Sequence, residues 1–259
     1  MGQRKPSVIF TFLEEKTFLY NRTDFIQTDP VSIPRQFSGK EDIEISGFLT
    51  ATIAWGRRPS ILKNASALLN LMDNDPHNFI LGFHEKDLIR FRSFVHRTFN
   101  GVDCIYFLRA LRHIYHDCGG MERVFRSGIK KDEPDLKNAI IHFRNVFFEL
   151  RHPKRTEKHF SNPGEGSAAK RINMYLRWMV RRDLHGVDFG IWKSISPSLL
   201  SCPLDVHSGR VARKLGLLKR KQNDWKATAE LTANLRKLDP LDPVKYDFAL
   251  FGLGVFEKF

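Results

Sequence analysis

Residues 203–217 read Pro-Leu-Asp-Val-His-Ser-Gly-Arg-Val-Ala-Arg-Lys-Leu-Gly-Leu. Asp205 follows a turn-prone Cys202-Pro203 pair and precedes apolar residues at helical spacing, Val211, Leu215 and Leu218, so its carboxylate stands where a helix N-cap belongs. Gly216 suits the other end of that helix. His207, Arg210 and Lys214 recur at helical spacing on the face opposite the apolar one. A carboxylate at the mouth of a basic, helix-lined surface suits chemistry on a polyanion. A capping aspartate on a solvated basic helix explains the same residues, and the local pattern alone favours that plainer account.

A second candidate lies upstream. Between residues 151 and 182 nine Lys or Arg face two acids, Glu157 and Glu165, a local net charge of plus seven. Within it, Pro163-Gly164-Glu165-Gly166 precedes a helical stripe of Ile172, Tyr175, Leu176, Met179 and Val180. Two glycines let backbone N–H groups approach a phosphate, and the following helix N-terminus adds its dipole. The same punctuation also marks ordinary turns. Lys170, at the start of that helix, shares a line with Asn173, Arg177 and Arg181 opposite the apolar centre, and the wheel reads as solvated rather than crevice-facing.

Two further groups bear chemistry-capable side chains. Trp55-Gly56-Arg57-Arg58 forms an interhelical corner, readable as a plain helix stop or as a wedge with phosphate grips. His113, His116 and Asp117 sit at helical spacing, but no fourth ligand with suitable spacing accompanies them, so no metal is expected.

The elements that must position these residues are helical. Periodicity predicts helices near 8–20, 42–53, 60–72, 102–115, 134–150 and 225–238, with a final apolar helix from 246 to 256. Asp29-Pro30 and Ile33-Pro34 predict an extended connection. No stretch shows sustained alternation between hairpin turns, so the expected class is all-α. The expected organisation is a single helical domain of two lobes over residues 1–259, with a basic hairpin and catalytic segment at 151–217, C-terminal helices at 218–259, and the crevice between the lobes.

Composition narrows the partner. Forty-two Lys and Arg against 29 Asp and Glu leave a formal charge of +13. Double-stranded nucleic acid is the default partner for such an excess, with an anionic membrane surface as the rival. No apolar run approaches the ~20 residues needed to span a bilayer. Residues 1–6 lead into a segment interrupted by Glu14, Glu15 and Lys16, so a soluble cytoplasmic protein without a leader is expected. The cysteines, Cys104, Cys118 and Cys202, are three and widely spaced, which permits neither a disulfide framework nor a four-cysteine metal site. No cofactor is expected, and nothing points to a particular protein partner.

These residues resemble the helix-hairpin-helix DNA glycosylase superfamily. The carrying features are Pro163-Gly164-Glu165-Gly166 and, downstream, Leu204-Asp205-Val206-His207 with Arg210, Lys214, Leu215, Gly216 and Leu217. The Asp205 segment, with the stretch from Asp242 to Phe248, looks closest to an uncharacterised bacterial family near that superfamily. The resemblance implies a two-lobed all-α fold, Asp205 as the catalytic acid, and a hairpin that binds a DNA phosphate through Pro163, Gly164 and Gly166. Arg171, His207 and Arg210 would support that contact, and Trp55 and Arg57 would enter or grip the opened duplex. Members that cleave the strand carry a lysine two residues after the second hairpin glycine. Here that slot is Ala168 and the nearest lysine is Lys170. Residues 182–201 read as an insertion shared by some archaeal members.

The resulting expectation is a base-excision enzyme acting on a flipped, damaged base without strong strand cleavage. Asp205 would stabilise the sugar cation, and Lys170 would be the candidate amine. Two alternatives stand beside it: a non-catalytic nucleic-acid-binding protein of the same fold, and a metal-dependent phosphohydrolase built on His113, His116 and Asp117.

Overall fold

The structure, a computed structural model, describes residues 8–259; the stretch 1–6 lies outside the described residues. Among the described residues the chain is all-α apart from one two-stranded hairpin. Its helices are α1 (Val8–Tyr20), α2 (Lys40–Thr52), α3 (Arg58–Asn70), α4 (Pro76–Gly82), α5 (Gly101–His116), α6 (Met121–Ser127), α7 (Lys137–Phe147), α8 (Lys170–Val180), α9 (Val206–Lys214), α10 (Trp225–Leu238) and α11 (Asp247–Val255).

Two of these helices are central. In α2 every residue from Ile43 to Thr52 is buried, and in α8 every residue from Ile172 to Val180 is. A helix shielded on all sides belongs in the middle of a fold rather than on its surface. They pack against one another, and Gly47 allows the approach: a Cβ there would lie 3.2 Å from the Met179 Cε atom. Around them the phenylalanines form one cluster. Phe48 contacts Phe107, Phe143, Phe147, Phe160 and the Tyr175 ring, and Phe125 stacks on Phe143 at 4.1 Å. The phenylalanines of this cluster are therefore core.

The two ends of the described chain meet. Helix α1 packs on α11, with the Tyr20 ring against Gly252, where any Cβ would clash, and α11 packs in turn on α9. Lys245 and Tyr246 reach Glu14 at 2.9 and 2.6 Å.

Two expectations are corrected. The segment with two proline pairs is not extended: Thr23–Thr28, Pro30–Ser32 and Pro34–Gln36 are successive 3-10 helices. Proline tolerates the first helical turn, and the Asp29 carboxylate accepts the Val31 N–H at 3.1 Å, so each proline starts a turn instead of preventing one. The hairpin, Val95–His96 with Phe99–Asn100, escaped notice because two-residue strands cannot display alternation. Among the described residues no helix is long and apolar enough to cross a membrane.

Candidate active site

The N-terminal turns of α8, α9 and α11 converge with the α2–α3 corner and the Asp29-Pro30 turn on one cavity of about 190 Å³. Helix α8 contributes Lys170, Met174 and Arg177; α9 and its lead-in contribute Pro203, Asp205 and Ser208; α11 contributes Asp247, Phe248 and Phe251. The corner adds Trp55, Gly56, Arg58 and Ile61.

Asp205 is both a cap and a site residue. Its Oδ1 accepts the N–H groups of His207 and Ser208 at 2.8 and 3.0 Å, while its own N–H donates to the Ser208 hydroxyl at 3.0 Å. This reciprocal arrangement satisfies the orphan donors of α9 and fixes the carboxylate's orientation. The second oxygen, Oδ2, lies 3.7 Å from the Lys170 ammonium. Burial pushes the Asp205 carboxyl up, but Lys170, the Ser208 N–H and hydroxyl and the His207 N–H outweigh it and hold the group below the ordinary aspartate value. Asp205 is thus ionised at neutral pH, with one oxygen spent on the fold and one facing the cavity.

Lys170 reaches that place because of the turn before it. Gly166 adopts φ +89° and hands its carbonyl to the Trp225 N–H at 2.9 Å, which pins the hairpin to the start of α10. Ala169 then takes a left-handed conformation, φ +49°, unusual for a residue with a side chain, and α8 begins at Lys170. The solvated reading of this helix line is overturned. Asn173, Arg177 and Arg181 are all buried, and Lys170 lines the cavity. The wheel geometry holds, but an acidic wall replaces water. Arg177 bonds Asp188 at 3.2 Å and also Asp247, and Arg181 bonds Asp188, Asp183 and Asp242 at 3.0, 2.7 and 3.0 Å.

The wall leaves two carboxylates on the cavity. Burial raises the Asp247 carboxyl to about 6, with Arg177 and Lys170 offsetting only part of it. Burial likewise raises Asp29, against the Val31 N–H and the cations Arg58, Arg177 and Lys170. Arg58 is the nearest of these, 4.0 Å away, and its guanidinium lies over the Phe251 ring at 5.5 Å. Sequence reasoning assigned no role to Asp29, Asp247, Phe251 or Arg177. Asp247 opens α11 as any first-turn acid does, and Asp29 stands in the segment whose prolines predict an extended connection.

Other expected site residues divide. Trp55 lines the cavity, braced edge-on by His96 at 5.0 Å and stacked on His159 at 6.0 Å. Arg57, His207 and Arg210 are exposed, and Arg210 also donates to the Gly254 carbonyl at 3.2 Å. Arg171 is no phosphate grip in this structure. Its guanidinium donates to the carbonyls of Thr52 and His159 and covers the Trp55 ring at 4.7 Å, and burial lowers it to about 10. In the hairpin Pro163 is buried, the Gly164 N–H is taken by the Asn162 side chain at 2.9 Å, and the Gly166 N–H by the Pro163 carbonyl at 3.2 Å. The element before it is a 3-10 helix, Lys154–His159.

The histidine group is remote from this cavity. His113 bonds Asp117 and Glu149 at 2.8 and 3.2 Å, which commits both its ring nitrogens to carboxylates, and the Nδ1 of His116 bonds Asp117 at 2.8 Å. Among the described residues no set of three or more His, Cys, Asp or Glu is arranged to hold a metal ion.

Compared with known proteins, residues 29–256 match the model of a family described as "Protein of unknown function (DUF2400)". No curated protein and no solved structure matches the chain.

Proposed function

We propose that this chain, which belongs to the DUF2400 family, is a DNA base-excision glycosylase that takes a flipped base into the cavity and attacks its sugar with Lys170. The observation that carries this reading is the Lys170 amine 3.7 Å from the free oxygen of Asp205, inside a cavity walled by Trp55, Phe248 and Phe251, on a chain of net charge +13.

A base within a duplex is out of reach of any such pair, so it must be extruded, at a cost of a few kcal/mol that is least at a damaged pair. The basic surface offsets that cost through phosphate contacts. Aromatic walls suit the face of a purine or pyrimidine ring. Once the base is seated, the Lys170 ammonium gives one proton to the departing base, and the lone pair this frees attacks C1′ as the bond to the base breaks. The sugar carries positive charge as this happens, and the ionised Asp205 stabilises it and accepts the amine's proton. Ring opening, with that proton passed from Asp205 to the ring oxygen, then gives a protonated imine between Lys170 and the sugar. Ala168 fills the slot where strand-cleaving members carry their lysine; the amine step is supported instead by the left-handed turn at Ala169, after which Lys170 lines the cavity.

The test is reduction with borohydride during reaction with duplexes carrying single damaged bases. The expected outcome is a covalent protein–DNA adduct with the parent and none with Lys170→Ala. Base release without trapping would leave Asp205 activating water. Duplex binding with no base release on any lesion would favour the non-catalytic alternative.

A further inference from the structure

The hairpin between α4 and α5 is tied down on its inner face and carries a loose cation at its tip. The Asn64 side-chain amide donates to the His96 Nδ1 at 2.8 Å, so the Nε2–H is left to donate to the Trp55 carbonyl at 3.1 Å. Phe99 packs on Phe107 and His159, and Arg155 donates to the Thr98 carbonyl at 3.1 Å. His96 and Phe99 are buried, whereas Val95, Arg97 and Thr98 are exposed. Arg97 begins the two-residue loop at φ +55°, a conformation that glycine or asparagine takes more readily there. Its side chain lies across Gly56, a residue of the cavity wall: a Cβ there would stand 2.8 Å from the Arg97 Nη1. Gly56, at φ +107°, thus leaves the room that Arg97 uses. Among the described residues neither Arg97 nor the exposed Arg57 has a side-chain hydrogen bond or ion pair.

We propose that Arg97 and Arg57 together clamp a backbone phosphate beside the extruded nucleotide at the cavity rim; this rests on the glycosylase reading above. A base seated in the cavity draws its own sugar after it, so the phosphates on either side of that sugar come to the rim. The His96–Trp55 bond joins the hairpin to the α2–α3 corner, so Arg97, next to His96, and Arg57, two residues after Trp55, stand on one rigid base. Of the other arginines at this corner, Arg58 leans on Phe251 and Arg171 is committed to backbone carbonyls, which leaves Arg57 and Arg97 for a ligand. A guanidinium offers paired N–H donors that match phosphate oxygens. Backbone strain of the kind at Arg97 persists where the surroundings hold it, and ligand clamps are among the places that use it. A merely solvated charge needs neither a left-handed backbone nor a glycine cleared beside it.

The experiment measures binding of the full chain to a duplex with one abasic site, and to duplexes in which each phosphate flanking that site is replaced, one at a time, by a neutral methylphosphonate. Arg97→Ala should weaken binding to the unmodified duplex by roughly 10- to 100-fold, as loss of a charge-assisted contact does. One methylphosphonate position should weaken the parent at least as much. On that duplex Arg97→Ala and Arg57→Ala should lose nothing further, because residues that share one partner are not additive. Arg97→Gly, which relieves the left-handed backbone, should lose binding as Arg97→Ala does and melt no lower than the parent, so the loss is not one of folding. A loss in Arg97→Ala that persists in full on every methylphosphonate duplex overturns the clamp. Base release from damaged duplexes is read in parallel. Parent-like binding by Arg97→Ala with release intact overturns the clamp alone, and no release from any lesion overturns the reading on which it rests.

Discussion

Helix α8 carries cations at its start and along its middle, and they lead opposite lives. Lys170 is about a third exposed and has one carboxylate, at 3.7 Å. Arg177 and Arg181, further along the same line, are almost wholly buried and bridge four aspartates, Asp183, Asp188, Asp242 and Asp247. Burial alone would lower both guanidiniums, yet Asp188 and its neighbours raise them above the ordinary arginine value. The residue types match the settings. Arginine cannot give up its proton and spreads its donors over several partners, which suits a permanent tie. Lysine is a flexible amine that can be deprotonated, which suits a nucleophile with one loose partner. On the proposed reading, whether a charge serves structure or reaction is decided by how many partners hold it and how far water is shut out.

The largest effect that would break this comparison is on chemistry. Asp205→Asn keeps the shape of the site but removes the one charge that, among the described residues, faces Lys170 within 4.0 Å. Single-turnover base release should fall by roughly a thousandfold, with binding to damaged duplexes unchanged or tighter. Retained release would reduce Asp205 to its capping role.

In the middle of the helix the same kind of removal should act on stability. Arg177→Met leaves Asp247 without its buried cation and Asp188 with Arg181 alone, and losing one partner from a buried pair costs about 3–5 kcal/mol. Thermal unfolding should move down by roughly 10 °C. A variant that melts with the parent would show that the acidic wall tolerates an unpaired charge, and the contrast with Lys170 would collapse.

Smaller effects should sort the exposed cations from the tied ones. Arg57→Ala and Arg210→Ala remove exposed charges near the cavity, so each should lower the slope of log affinity against log salt by about one unit. Arg171→Ala removes a guanidinium committed to Thr52, His159 and Trp55, so it should lower the melting temperature and leave that slope alone. The opposite pattern in a salt titration would reassign Arg171 to phosphate.

What could be read from the sequence follows the same division. Helix periods, the Asp205 cap and the basic segment are local patterns, and the structure keeps them. The helical wheel puts Lys170 on its proper line but cannot place that line against the cavity, because the acids that wall it come from residues 183, 188, 242 and 247. Asp29 and Asp247 join the cavity from positions 218 residues apart, and no local spacing carries that meeting. The left-handed turn at Ala169 was equally hidden, since nothing about alanine announces it.

The smallest expected effect comes from the substitution that does most to chemistry. Asn caps a helix about as well as Asp, so Asp205→Asn keeps the bonds to His207 and Ser208, while Asp205→Ala should cost about 1 kcal/mol. The lost attraction to Lys170 is between partly exposed groups and is worth about 0.2–1 kcal/mol. Some of that returns, because Asp205 pushes its buried neighbour Asp247 up and the neutral side chain does not. At neutral pH Asp205→Asn should therefore unfold within about 1 kcal/mol of the parent. The acid limb separates the terms. Asp205 is held below its unfolded value, so its contribution is complete above the ordinary aspartate range and disappears as pH falls through the folded value. Asp247 is raised to about 6, so its contribution is complete below the ordinary range and is lost as pH rises through 6. The gap between parent and Asp205→Asn should then close below the ordinary aspartate range, where both carry a neutral side chain at 205, while the Asp205→Ala deficit persists. Denaturant unfolding of the three proteins from pH 7 down to 3 measures this, and a parent–Asn gap that widens toward acid would show that the charge of Asp205 does not stabilise the fold.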